Sequence, residues 1–248
     1  MLLRSAWFVW CALLLNAAPE PQFLNRSVTV NSVAYRYVVS IPAGWTADRT
    51  WPVVLSLHGS EERGDDGVQP SLVGFPLAVR HHPERFPAVV VVLQCRPGVD
   101  WKAPAMQAQI LAALDASVAE FHGDPKRLYL TGLSMGGYGT WALAARYPDR
   151  FAAIVAVCGG IQWPTSGHIK NEAPYKAVAD KVARLPIWVF HGDADRNVRV
   201  TESREMVKLL RARHADVHYT EYPGVAHNSW DRAYAEPDLP VWLFAQHR

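Results

Sequence analysis

Ser134 sits in the stretch Leu130-Thr131-Gly132-Leu133-Ser134-Met135-Gly136-Gly137-Tyr138-Gly139. A serine hydroxyl is a weak nucleophile, so it reacts only where a base can reach it and where a tight turn makes it protrude. The flanking residues predict such a turn. Arg127-Leu128-Tyr129-Leu130 reads as a strand, and Trp141-Ala142-Leu143-Ala144-Ala145 as the body of a helix. Gly132 and Gly136 remove side chains where strand and helix crowd each other. The helix would direct its free N–H groups and positive dipole end at a negative oxygen forming beside Ser134. Strand, Gly-x-Ser-x-Gly and helix in that order are the context in which the motif places a nucleophile.

A base and an acid are available downstream. His227 lies in Pro223-Gly224-Val225-Ala226-His227-Asn228-Ser229-Trp230, and two carboxylates lie in His191-Gly192-Asp193-Ala194-Asp195-Arg196-Asn197-Val198. A carboxylate at a strand end can hold an imidazole in the needed tautomer and stabilise its cation. Asp193 and Asp195 both follow an apolar stretch, so either could face His227, and either could instead serve the turn. The other histidines show no spacing of a metal site. A further loop, His58-Gly59-Ser60-Glu61-Glu62-Arg63-Gly64, also follows an apolar stretch. His58 there is expected to shape the strand end rather than to do chemistry.

These loops need a scaffold. Residues 27–30 and 33–41 alternate polar with apolar around Asn31-Ser32, an antiparallel start. Near-continuous apolar runs at 53–57, 88–93, 128–130, 152–157 and 187–190 predict strands buried on both faces. Met106, Ile110, Leu111, Leu114, Val118 and Phe121 recur at helical spacing. Residues 201–210 predict another helix, 217–222 a last strand and 238–246 a closing amphipathic helix. Strands alternating with helices form a mostly parallel sheet covered on both faces. In such sheets function gathers at the carboxyl ends of the strands, where all four loops fall.

The 248 residues are half hydrophobic and 19% charged, enough for one sizeable α/β domain. A formal net charge of +2 argues for neither nucleic-acid nor membrane-surface binding. Met1-Leu2-Leu3-Arg4 followed by the apolar stretch to Leu15 has the pattern of a secretory signal and is too short to span a bilayer. The expected organisation is a signal peptide over 1–18 and a single catalytic domain over 19–248, with a secreted or periplasmic product. Cys95 and Cys158 follow strands several places apart in the sheet, so both are expected as packed free thiols.

The stretches 58–64, 132–141, 191–198 and 227–231 resemble the capless esterases of the α/β-hydrolase fold. Within that fold the chain is similar to the small carboxylesterases, polyhydroxybutyrate depolymerases and feruloyl-esterase-like proteins, relatives of the prolyl oligopeptidase catalytic domains. The resemblance covers nearly everything from Ser27 onward. It implies an α/β-hydrolase sheet of about eight strands without a cap domain. It further implies Ser134 as nucleophile, Asp195 as acid through His-Gly-x-x-Asp-x-x-Val, and His227 as base. Met135 and Ser60 are implied as the backbone donors of an oxyanion hole. The first loop departs from the usual His-Gly-Ser-Gly-Glu-Arg-Gly, because Glu61 replaces a glycine at a position that could need φ > 0.

The expected activity is hydrolysis of a carboxylic ester, small or polymer-linked, through an acyl-serine intermediate, with no cofactor, metal, nucleic-acid partner or stable membrane insertion. A serine peptidase of the oligopeptidase type would share every motif, although 248 residues leave no room for the propeller that usually restricts access. A catalytically dead binding protein is the other alternative. Trp101, Trp163 and Trp230 fall on loops at the same sheet edge, where they either form an aromatic wall for substrate or pack into the core.

Overall fold

The computed structural model describes residues 20–162 and 171–248. The expected leader over 1–18 and Trp163 lie outside those residues. In chain order the main elements are β1 (Gln22–Val30), β2 (Val33–Ile41), β3 (Trp51–Leu57), α1 (Gly74–His81), β4 (Val89–Leu93), α2 (Pro104–Glu120), β5 (Gly123–Leu133) and α3 (Met135–Arg146). The second half supplies β6 (Ala153–Val157), α4 (Ala173–Val182), β7 (Ile187–Gly192), α5 (Thr201–Arg211), β8 (Val217–Tyr222), α6 (Trp230–Ala235) and α7 (Leu239–Ala245).

The strands form one eight-stranded sheet in the order β1-β2-β4-β3-β5-β6-β7-β8. β1 and β2 are an antiparallel hairpin, β2 runs antiparallel to β4, and every later pairing is parallel. This is the α/β-hydrolase architecture. Residues 158–172, which join β6 to α4, are too few for a folded cap.

The unbroken apolar runs have a simple cause. Successive side chains of a strand point to opposite faces, and here both faces are covered. Val53, Leu55, Val89, Val91, Ile154 and Ala156 pack on the face that carries α2, α3, α4 and α5. Val54, Val90, Val92, Val155 and Val157 pack on the other, against Phe75 and Val79 of α1, Tyr234 of α6, and Leu239 and Leu243 of α7. β5 begins at Gly123, directly after α2, because the chain reverses at His122 with φ 53°. Gly123-Asp124-Pro125, a turn-like stretch by composition, is thus already part of a strand. Parallel pairing of β3, β5, β6, β7 and β8 puts their carboxyl ends on one edge, and the four loops meet there.

Candidate active site

Ser134 occupies the single-residue turn between β5 and α3, with φ 52° and ψ −117°. Such a backbone is costly for a residue with a side chain and persists only where its surroundings hold it. The Ser134 amide donates to the Val157 carbonyl at 3.0 Å. Gly132 and Gly136 are packed so tightly that a Cβ on the first would strike the Gly136 carbonyl, and one on the second the Leu57 carbonyl. The two glycines therefore allow α3 to lie directly on β3 and β5, and that contact fixes the turn.

Ser134 Oγ lies 2.9 Å from His227 Nε2, and His227 Nδ1 lies 2.6 Å from Asp195 Oδ2. The carboxylate only accepts, so Nδ1 carries the proton and Nε2 offers its lone pair to the serine hydroxyl. The other oxygen, Asp195 Oδ1, accepts the amides of Asn197 at 2.8 Å and Val198 at 2.9 Å. Burial by itself would push the Asp195 carboxyl up. Hydrogen bonds from His191, His227 and the Val198 amide outweigh it and hold the group well below the usual carboxylate range. Asp193, two residues earlier, is exposed and accepts the Gly224 amide at 2.7 Å. Of the two aspartates, only Asp195 meets His227.

The loop after β3 is pinned from below. His58 Nε2 accepts the Cys95 amide at 2.8 Å, so the proton sits on Nδ1, which donates to the Gly59 carbonyl at 2.5 Å. Burial drives the His58 imidazole down to about 4, against a weaker opposing pull from the Gly59 carbonyl. His58 is thus a neutral brace, as the sequence suggests. Gln94 completes the frame, accepting the Gly67 amide at 2.6 Å and donating to the Glu62 carbonyl at 3.1 Å. Sequence reasoning passes over Gln94; the available signal is a polar residue directly after the apolar β4. Glu61 is not among the residues with positive φ, so the loop accommodates the side chain that replaces the usual glycine.

Ser60 and Ser134 line a cleft of about 170 Å³, together with Glu62, Leu133, Val198, His227 and Trp230. The Met135 side chain is buried, and its amide follows Ser134 as the first of α3, where no intrahelical acceptor exists. The arrangement can take a proton from a hydroxyl, store it on an imidazole held by a carboxylate, and offer backbone donors to a nascent oxyanion. A larger hollow of about 520 Å³ beside β1 and β2 contains none of these groups.

The two described tryptophans of the expected wall separate. Trp230 lines the cleft and sets its ring edge-on to His227, with centroids 5.6 Å apart. Trp101 does not belong to a substrate wall: it is 1% exposed, and its indole N–H donates to the His58 carbonyl at 3.0 Å. It is wedged between the His58 ring and α3, where Gly139 leaves room for it. Its apolar surface and single donor are both satisfied inside. Cys95 and Cys158 are free and buried, and burial pushes their thiols up to about 11 and about 12. Among the described residues no cluster of His, Cys, Asp or Glu could hold a metal ion, and no helix is long and apolar enough to cross a membrane.

A profile of the prolyl oligopeptidase family matches residues 99–238, more than half of the chain. A protein of Arthroderma benhamiae called an uncharacterized secreted protein is 26% identical over an alignment of 236 positions that covers 84% of this chain and 25% of that one. Poly(3-hydroxyalkanoate) depolymerase C of Paucimonas lemoignei is 38% identical over an alignment of 138 positions that covers 48% of this chain and 33% of its own. Among solved structures, a thermostable esterase superposes with a TM-score of 0.76 at 30% identity, covering 91% of this chain and 63% of the esterase. The chain thus spans only 25–33% of those two curated relatives.

Proposed function

Since the chain belongs to the prolyl oligopeptidase family and has the α/β-hydrolase fold, we propose that it is a serine hydrolase cleaving carboxylic esters through an acyl-serine intermediate. The observation that carries this reading is the continuous hydrogen-bonded chain from Ser134 through His227 to Asp195 at the wall of an open cleft.

His227 Nε2 takes the Ser134 proton as Oγ bonds to the ester carbonyl carbon. The carbonyl oxygen becomes an oxyanion, stabilised by the amides of Met135 and Ser60 and by the positive end of α3. Collapse breaks the bond to the alcohol oxygen, and His227 hands it the proton. Water then enters, His227 takes its proton, and the resulting hydroxide attacks the acyl carbon. The second collapse releases the acid and returns the proton to Ser134 Oγ. Asp195 remains ionised throughout and balances the imidazolium. The substrate is a small or polymer-linked ester, and Trp230 forms one apolar side of its site.

Residues 1–18 serve as an export leader and the catalytic domain fills 19–248. The apolar pattern of the leader supports this, as does similarity over 84% of the chain to a protein called secreted.

The family name also fits a peptidase. A matched pair of p-nitrophenyl ester and p-nitroanilide, carrying the same acyl group, separates the readings. Turnover of the ester with little of the anilide is expected; preference for the anilide would replace the ester reading, and inertness to both would overturn it.

A further inference from the structure

Asp195 is held by more than its contact with His227. His191, the penultimate residue of β7 and fully buried, sets Nε2 2.9 Å from the Val198 carbonyl and 3.2 Å from Asp195 Oδ2. Neither oxygen is a donor while Asp195 is ionised, so Nε2 carries a proton. On the other side of the ring, Nδ1 lies 2.7 Å from Ser203 Oγ on α5. Val198 is therefore gripped at both of its peptide groups: its amide by Asp195 Oδ1 and its carbonyl by His191.

From this closed circuit we infer that His191 is a positioning residue, which anchors the 195–198 loop to β7 and α5 and so aims Asp195 Oδ2 at His227 Nδ1. The inference rests on the reading of Ser134, His227 and Asp195 as the hydrolytic relay. A carboxylate at a loop start is free to rotate about two side-chain bonds. The amides of Asn197 and Val198 fix Oδ1 only if their own peptides are fixed, and the His191–Val198 bond supplies that restraint. The protonated Nε2 beside Oδ2 also favours the ionised carboxylate. His227 comes from a separate loop, so alignment of donor and acceptor depends on how firmly the acid is held. A misplacement of about 1 Å can cost roughly a hundredfold in rate.

The reach of the side chain provides the test. His191→Gln places an amide N–H near the position of Nε2, His191→Asn reaches only as far as Nδ1, and His191→Met fills the space without a donor. Competent serines are counted by uptake of an organophosphonate, and kcat and KM on a p-nitrophenyl ester are expressed per competent site. His191→Gln should keep kcat within about fivefold of the parent, while His191→Asn and His191→Met lose about tenfold to a hundredfold with KM little changed. Asn and Met variants turning over like the Gln variant, or a loss confined to KM, would overturn the inference. A parent that takes up no organophosphonate would sink the hydrolase reading itself, a separate result. ¹⁵N-histidine NMR of the unmodified protein needs no variant to fold: His191 must be protonated at Nε2, and a ring protonated at Nδ1 alone would overturn the inference.

Discussion

His58 Nε2 accepts the Cys95 amide at 2.8 Å, tying the carboxyl end of β3 to that of β4 directly beneath the cleft. A protonated ring could not accept that bond. Burial, the largest influence, keeps the folded imidazole at about 4 against an ordinary 6.5. The unfolded chain therefore takes up a proton on this ring at higher pH than the folded protein does. The stability this residue contributes is fully present above about pH 6.5 and is lost as the pH falls towards 4. At ~1.4 kcal/mol per pH unit the loss is roughly 3 kcal/mol. Unfolding midpoints in denaturant at pH 7, 5.5 and 4.5 should decline less steeply for His58→Gln than for the parent. Equal slopes would show that the ring is not the acid-sensitive brace.

Ser134→Ala should lower kcat by about 10⁶ and leave roughly 10³–10⁴ over water, from oxyanion donors and binding alone. Uptake of an organophosphonate should vanish with it. Activity near that of the parent in a pure preparation would remove Ser134 from the role of nucleophile.

Asp195→Asn should reduce kcat by about 10⁴ with the fold retained, because an amide at this position favours the wrong tautomer of His227. Asp193→Asn keeps an oxygen for the Gly224 amide. It should change the rate little and stability by less than about 1 kcal/mol. The two variants are compared in kcat and melting temperature. A rate loss in the Asp193 variant alone would reassign the acid.

Trp101 and Trp230 should fail in different assays. Trp230→Ala opens the cleft beside His227 and should raise KM by about three- to tenfold, equivalent to roughly 0.6–1.4 kcal/mol. Trp101→Phe deletes the bond to the His58 carbonyl and should cost about 1 kcal/mol of stability while KM stays put. A larger KM effect from Trp101→Phe than from Trp230→Ala would place the substrate elsewhere.

The buried middle of each central strand is legible in the sequence alone, although β5 starts at Gly123, ahead of its apolar run. Apolar runs such as Val89–Leu93 have to be strands buried on both faces, since each successive side chain needs a covered side. The turn at Ser134 is also local, because two glycines are needed wherever a strand and the next helix press together, and Gly132-Leu133-Ser134-Met135-Gly136 declares that need. Other assignments depended on neighbours distant in the chain. Asp193 and Asp195 look alike in sequence, and only the approach of the 223–227 loop separates them: Gly224 takes one and His227 the other. Trp101 and Trp230 both read as loop residues at the active edge. The gap left by Gly139 on α3 draws the first inside, whereas the second remains beside His227. Gln94 carries no motif, and the motif that begins at His191 does not say what its ring holds, because a buried brace is defined by its partners: Gly67 and Glu62 for one, Val198 and Ser203 for the other. Period and local crowding are written along the chain, whereas hydrogen-bond partners at long separation exist only once the sheet has brought the ends of its strands together.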